Sequence, residues 1–315
     1  MPKIAIRLLA AIAALLAGLS AGAAGAAEIK VVCAGAMRAV LQELGPAFEK
    51  SSGHKLVIEY ATAGKVEEKV VADEAIDVAI LTKPRIDKLV SRAKIVGGTA
   101  TMLARAPIGL AVKKGAPHPD ISSVEAFKRT LLNAKSIAYI DPASGATSGI
   151  HLAQALEKLG IAAELKPKIR LISPPAGQSS VRVGEVVQRG EAEIGMQPIS
   201  ELMEVDGIEI VGPLPAELQS PDLVFMAGSP AVSEQPLPAK ALIDFLAAPA
   251  AAPVYKAKGM EPGVKLANDP APQHDGRAAA GEDGITGVRA AARGDAEGRS
   301  HGSNRRTDRV VGADD

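Results

Sequence analysis

Tryptophan is absent from the 315 residues, and aromatic residues make up only 2%. A chain so poor in rings offers no platform for stacked bases or sugars, and no nucleic-acid partner is expected. Charge of one sign is lacking too: 36 Lys plus Arg stand against 36 Asp plus Glu. No excess remains to attract nucleic acid or an anionic membrane surface. The single cysteine, Cys33, lies in the apolar run IKVVCA. It rules out a disulfide framework and reads as a buried structural thiol rather than a nucleophile. The five histidines, at 54, 118, 151, 274 and 301, lack metal-ligand spacing, so neither metal nor cofactor is expected. No P-loop is present, no GxGxxG follows a strand, and GATSG at 145–149 has the wrong spacing for a nucleophile elbow. Acid pairs such as Glu67 and Glu68 fall on a helix surface. No catalytic constellation is recognisable, which argues for binding rather than catalysis.

The N-terminus is a leader by composition. Lys3 and Arg7 precede an apolar core at 8–19, and small residues follow up to Ala27. The pattern is that of a cleaved secretory signal over 1–27, with an apolar stretch shorter than the roughly 20 residues of a membrane span. The mature chain is therefore expected in the periplasm. From residue 28 short β runs alternate with amphipathic helices. IKVVCA, KLVIEY and IDVAIL alternate with helical segments, which predicts a parallel sheet with right-handed crossovers. A second series follows, with SIAYI, KIRLIS and AEIGMQ as its strands. DLVFMAG reads as a strand returning to the first series. The fold class predicted is α/β with two lobes, each a mostly parallel sheet flanked by helices and joined by two hinge crossings. The first lobe spans 28–107 and 222–263, and the second spans 108–221. Residues 264–315 are Gly-, Arg-, Asp- and Ala-rich without periodicity, and such a composition buries too little apolar surface to fold.

The loops at the carboxyl ends of these strands share a chemistry. They are 34-AGAM-37, 61-ATAGK-65, 82-TKP-84, 141-DPASGATSG-149 and 196-MQP-198. Small residues let a ligand approach the backbone, and helix starts supply unpaired N–H groups and partial positive charge. The candidate donors are the backbone N–H groups of Ala36, Met37, Ala63, Ala146 and Thr147. Hydroxyls come from Thr62, Thr82, Ser144 and Ser148, and Gln197 stands at the cleft edge. Arg38 and Lys65 sit one residue inside their helices and are expected to face solvent. Any one of these loops taken alone reads better as a tight turn or an N-cap. Together they suit a small anion bound between the lobes without a formal countercharge.

Over 28–263 the sequence resembles the periplasmic solute-binding proteins of ABC transporters with the type 2 fold, and most closely their molybdate-binding branch. The resemblance is carried by IKVVCAGAMRAVLQELGPAFEKSSGHKLVI, IDVAIL, DPASGATSGIHLAQALEKLGI and VRVGEVVQRGEAEIGMQPISE. It implies a monomer that closes over an oxyanion such as molybdate or tungstate and delivers it to an ABC permease and ATPase. There are departures from the pattern. Met37 stands where that branch carries a serine, Thr62 alone represents a serine-rich turn, and Gln197 with Pro198 occupies the region of an expected tyrosine. Another oxyanion, an organic anion or a neutral solute all remain open as ligands. An enzyme or a sensory domain on the same fold is the alternative in kind.

Overall fold

The computed structural model describes residues 26–174 and 182–263. Of the expected leader only residues 26 and 27 fall in this range, and the expected tail over 264–315 lies outside it. Both lobes belong to one compact unit.

The chain runs β1 (Glu28–Ala34), α1 (Arg38–Ser52), β2 (Lys55–Ala61), α2 (Ala63–Val71), β3 (Val78–Thr82), α3 (Lys83–Ser91), β4 (Thr101–Arg105) and β5 (Ile108–Lys113). It continues through α4 (Val124–Asn133), β6 (Ile137–Ile140), α5 (Thr147–Lys158), α6 (Ala162–Leu165), β7 (Ile169–Ile172), α7 (Val183–Gln188), β8 (Ile194–Pro198) and α8 (Ile199–Leu202). It ends with β9 (Ile208–Pro213), β10 (Val224–Gly228), α9 (Pro236–Ala247), α10 (Ala252–Ala257) and β11 (Glu261–Pro262).

Two sheets result, ordered β11-β4-β10-β3-β1-β2 and β7-β6-β8-β5-β9. β1 is central, pairing Val31 with Ile58 on one side and with Val78 on the other, both parallel. That position explains why IKVVCA is apolar on both faces. β2 is an edge strand, and Lys55, Val57 and Glu59 on its open face are exposed. The two-lobed α/β architecture is the expected one, but the sheets are more mixed than "mostly parallel". β10 returns antiparallel to both β3 and β4, and β5 lies antiparallel to β8 and β9. The departure has a plain cause. Each crossing strand enters its sheet from the far lobe, and so runs against the βαβ strands already there.

α1 buries Val40, Leu41, Leu44 and Phe48 on one face, and Phe48 meets Phe245 of α9 edge-on at 5.5 Å. Asp77, before β3, is 4% exposed. Its carboxylate accepts from Lys30 N (2.9 Å), Ser233 Oγ (2.8 Å) and Gln235 N (3.1 Å), tying the first sheet to the entry of α9. The chain passes between sheets over 106–107 and again over 214–223. Gln219 clamps the two crossings together: its Oε1 accepts from Ile108 N, and its Nε2 donates to the carbonyls of Ile108 and Leu214.

Candidate functional site

The parallel strands β1, β2 and β3 end side by side at Ala34, Ala61 and Thr82, and β6 and β8 of the other lobe end at Ile140 and Pro198. A cavity of about 40 Å³ lies among these ends. The first lobe lines it with Ala34, Gly35, Ala36, Ala61, Thr62, Ala63, Thr82, Leu223 and Phe225. The second contributes Ile140, Ala146, Thr147, Ser148, Pro198 and Glu201. The space is small and suits one compact solute.

The local sequence explains why donors gather here. Ala146 precedes α5 and has no side chain with which to cap it, so the first turn gains no side-chain acceptor. Thr82 precedes α3, and its hydroxyl makes no capping bond either. N–H groups in a first turn lack intrahelical partners, and an anion in the cavity can cap them while meeting the positive end of the helix. The Oγ1 atom of Thr147 is buried without a hydrogen-bond partner, although buried hydroxyls are normally satisfied.

The lobes touch beside the cavity. Gly64 N donates to Gly145 O at 3.1 Å, Thr62 Oγ1 to Ser144 O at 2.7 Å, and Arg85 Nη2 to Gly145 O at 3.2 Å. The two glycines meet backbone to backbone: a Cβ on Gly64 would stand 2.9 Å from Gly145 Cα. Gly145 also holds φ at +75°, a conformation that glycine favours.

Of the residues singled out in the sequence, Ala36, Thr62, Ala63, Thr82, Ala146, Thr147 and Ser148 meet at the cavity. Met37, Ser144 and Gln197 are placed elsewhere. Met37 is fully buried in the core of the first lobe. Ser144 turns its hydroxyl back to Asp141 O at 2.6 Å and lines a neighbouring surface groove. Gln197 is fully buried, and its Oε1 accepts from Val183 N at 2.8 Å. The Thr62 hydroxyl is largely spent, since it also accepts from Lys65 N at 3.3 Å. Lys65 faces solvent and pairs with Glu68 at 2.6 Å. Arg38 does not face solvent freely: its side chain is 18% exposed, and it stacks 4.2 Å above the Tyr60 ring. Glu67 is buried rather than on an open helix face, held by Arg85 and Lys88. Cys33 is buried, and desolvation pushes its thiol well up, which leaves it unreactive. Asp141 caps Ala143 N at 2.9 Å, an ordinary turn role. Among the described residues, no cluster of three or more His, Cys, Asp or Glu could hold a metal.

Sequence reasoning missed Glu201, the one titratable side chain in the cavity wall among the described residues. It sits in α8, and a Cβ added to Gly35 would come within 2.7 Å of its Oε1. Burial pushes its carboxyl up to about 8, and the charge of Glu204 pushes the same way. Arg38, a hydrogen bond from Gln197, and Arg182 pull it back only in part. Glu204 takes most of the countercharge, with Arg182 at 2.8 Å and Arg38 at 3.7 Å. The available signal was positional: PISE opens a helix directly after the carboxyl end of β8.

The fold is that of a two-lobed solute-binding protein, and a cavity lies between its lobes. The chain belongs to the family of bacterial extracellular solute-binding proteins, whose model matches residues 29–261. It is 35% identical over 240 residues to an aconitate isomerase from a Pseudomonas species, covering 74% of this chain and 87% of that protein. It is 29% identical over 261 residues to the molybdate-binding protein ModA of Azotobacter vinelandii, covering 79% of this chain and 95% of that one. The solved periplasmic molybdate-binding protein of Azotobacter vinelandii shares the fold, with a TM-score of 0.60 at 20% identity over 74% of this chain and 98% of its own.

Proposed function

We propose that the protein captures a small anion in the interlobe cleft, outside the cytoplasm, and presents it to an ABC permease and its ATPase. The observation that carries this reading is the pair of uncapped helix starts facing a cavity sized for one compact solute. The cradle is backbone N–H groups with the Thr147 and Ser148 hydroxyls, and closure brings α2 and α5 together through Gly64 and Gly145. A tetrahedral oxyanion fits the volume. The departures at Met37 and Thr62 leave it fewer hydroxyl donors, and every missing donor to a buried oxyanion is costly.

A second reading is favoured by Glu201 and by the relative named as an aconitate isomerase. Here the ligand is an organic carboxylate held in a wider state of the cleft, and Glu201 moves a proton on it. A lone carboxyl poised near neutrality has the character of a general acid–base group. One experiment separates the two. The full-length mature protein is screened by thermal shift against molybdate, tungstate, sulfate, phosphate and a set of di- and tricarboxylates. It is then assayed for interconversion of cis- and trans-aconitate. A ligand at about a thousand times its dissociation constant adds roughly 4 kcal/mol, which is easily read. A shift with oxyanions and no turnover supports capture. Turnover that disappears in Glu201→Gln establishes the isomerase. No response to any anion removes the small-anion reading.

A further inference from the structure

The charge pattern around the cleft is lopsided. Among the described residues Glu201 is the only titratable side chain lining the cavity, which it shares with Thr82 and Ala146, the residues ahead of α3 and α5. The groups facing it come from three other directions. Arg38 of α1 is committed to Tyr60 and Glu204. Arg182, ahead of α7, is committed to Glu204 and Glu185. Glu204, one turn beyond α8, adds negative charge, and Gln197 of β8 supplies one hydrogen bond. Lys258 acts on Glu204 from the far side and pairs with Glu43 at 2.8 Å. An ionised Glu201 would repel any anion in the cleft. A neutral one turns the same atoms into a donor aimed at the site.

We propose that Glu201 takes part in anion binding as the neutral acid, donating its proton to the bound anion, so that the cleft takes up an anion and holds it on one protein proton. The proposal rests on the small-anion reading above and adds to it the residue that sets protonation-dependent selectivity. The proton stays on the Glu201 carboxyl, and no covalent bond is made or broken. Burial favours this state: it raises the carboxyl to about 8 in the empty cleft, and an adjacent anion raises it further. Affinity is therefore level at neutral pH and falls as the carboxyl of the free protein ionises.

The test compares the full-length mature protein with Glu201→Gln, which keeps a donor at the position and cannot ionise. Binding of molybdate, and separately of trans-aconitate, is measured calorimetrically from neutral to alkaline pH in buffers of different ionisation heat. Neither probe gains or loses a proton of its own above neutrality. The wild-type affinity is expected to fall about tenfold per pH unit above about pH 8, with proton uptake seen in the buffer dependence. The variant is expected to hold its affinity level. Parallel profiles in the two proteins would overturn the proposal. Failure of both anions to bind either protein would overturn the small-anion reading instead, and a second measurement then decides the residue's own state. The infrared difference between wild type and variant should show a protonated carboxyl band at neutral pH that vanishes in alkali. A carboxyl ionised throughout overturns the proposal without reference to any ligand.

Discussion

Asp77 is buried and Glu201 is partly buried in the cavity wall, and the protein treats the two carboxyl groups in opposite ways. Asp77 accepts from two backbone N–H groups and a serine hydroxyl and holds β1, β3 and the entry of α9 together. Among the described residues, Glu201 receives a hydrogen bond from Gln197 and has an acidic neighbour in Glu204, which pairs with Arg182 at 2.8 Å and Arg38 at 3.7 Å. A fully satisfied carboxylate contributes to the fold. One raised by burial and by an acidic neighbour, and set in a cavity wall, is a candidate for function. The difference in hydrogen bonding separates a structural acid from a functional one, and substitutions at the two positions can break it.

The largest effect falls on the structural side. Asp77→Ala leaves Lys30 N and the Ser233 hydroxyl without this acceptor, while Gln235 N keeps Ser233 Oγ at 3.2 Å, and each unpaired group costs about 1–3 kcal/mol. Destabilisation of about 3 kcal/mol is expected, or some 6–12 °C in melting temperature for a domain of this size. Anion affinity at temperatures where the fold persists should be unchanged. A loss of binding with no loss of stability would reverse the roles assigned to the two acids.

Next in size is closure. Gly64→Val places a branched side chain where Gly145 Cα already stands. The lobes then cannot close, and at least about a hundredfold of affinity is lost, about 2.7 kcal/mol of closed-state preference. The unliganded melting temperature should move little, because the residue lies at a contact between lobes and outside their cores. Small-angle scattering should show a protein that stays open when ligand is added.

Glu201→Gln tests the other acid without ligand. The folded carboxyl stays protonated up to about 8, whereas in the unfolded chain it ionises in the ordinary carboxylate range. Between those two values the folded form holds a proton that the unfolded form has released, so stability falls as pH rises. The variant escapes that loss. It should be more stable than wild type at pH 8, and the difference should vanish near pH 4. Melting curves at the two pH values check this, and equal differences at both would mean that Glu201 ionises freely.

The same two acids show how far the sequence could be read. Strand and helix periodicity, the two lobes and the small-residue loops are local patterns, and seven of the ten proposed contacts meet at one cavity. What stayed hidden is what depends on side-chain direction. Gln197, in β8, turns into the core because strand residues alternate between faces, and Met37, in the turn after β1, is buried away from the cavity lining. Ser144 is drawn away by its own backbone at Asp141. The charged wall is invisible for another reason. Arg38, Arg182, Glu201 and Glu204 are brought together from α1 and from the segments around α7 and α8, and no spacing in the sequence records that meeting. The parallel character of the sheets was overestimated because βαβ counting does not register strands that arrive from the other lobe.

The smallest effect gives the sharpest distinction, because two of its signs oppose. Thr147 Oγ1 is buried at the cavity without a partner. Thr147→Val keeps the shape and removes the hydroxyl. If that hydroxyl serves only the fold, its loss relieves an unsatisfied group and nothing else changes. If it serves the ligand, the empty protein gains about 1 kcal/mol while the affinity for the bound anion drops about tenfold. The second outcome is the one expected. Paired thermal melts and titrations on one preparation read both signs, and a variant that gained stability with unchanged affinity would remove Thr147 from the anion cradle.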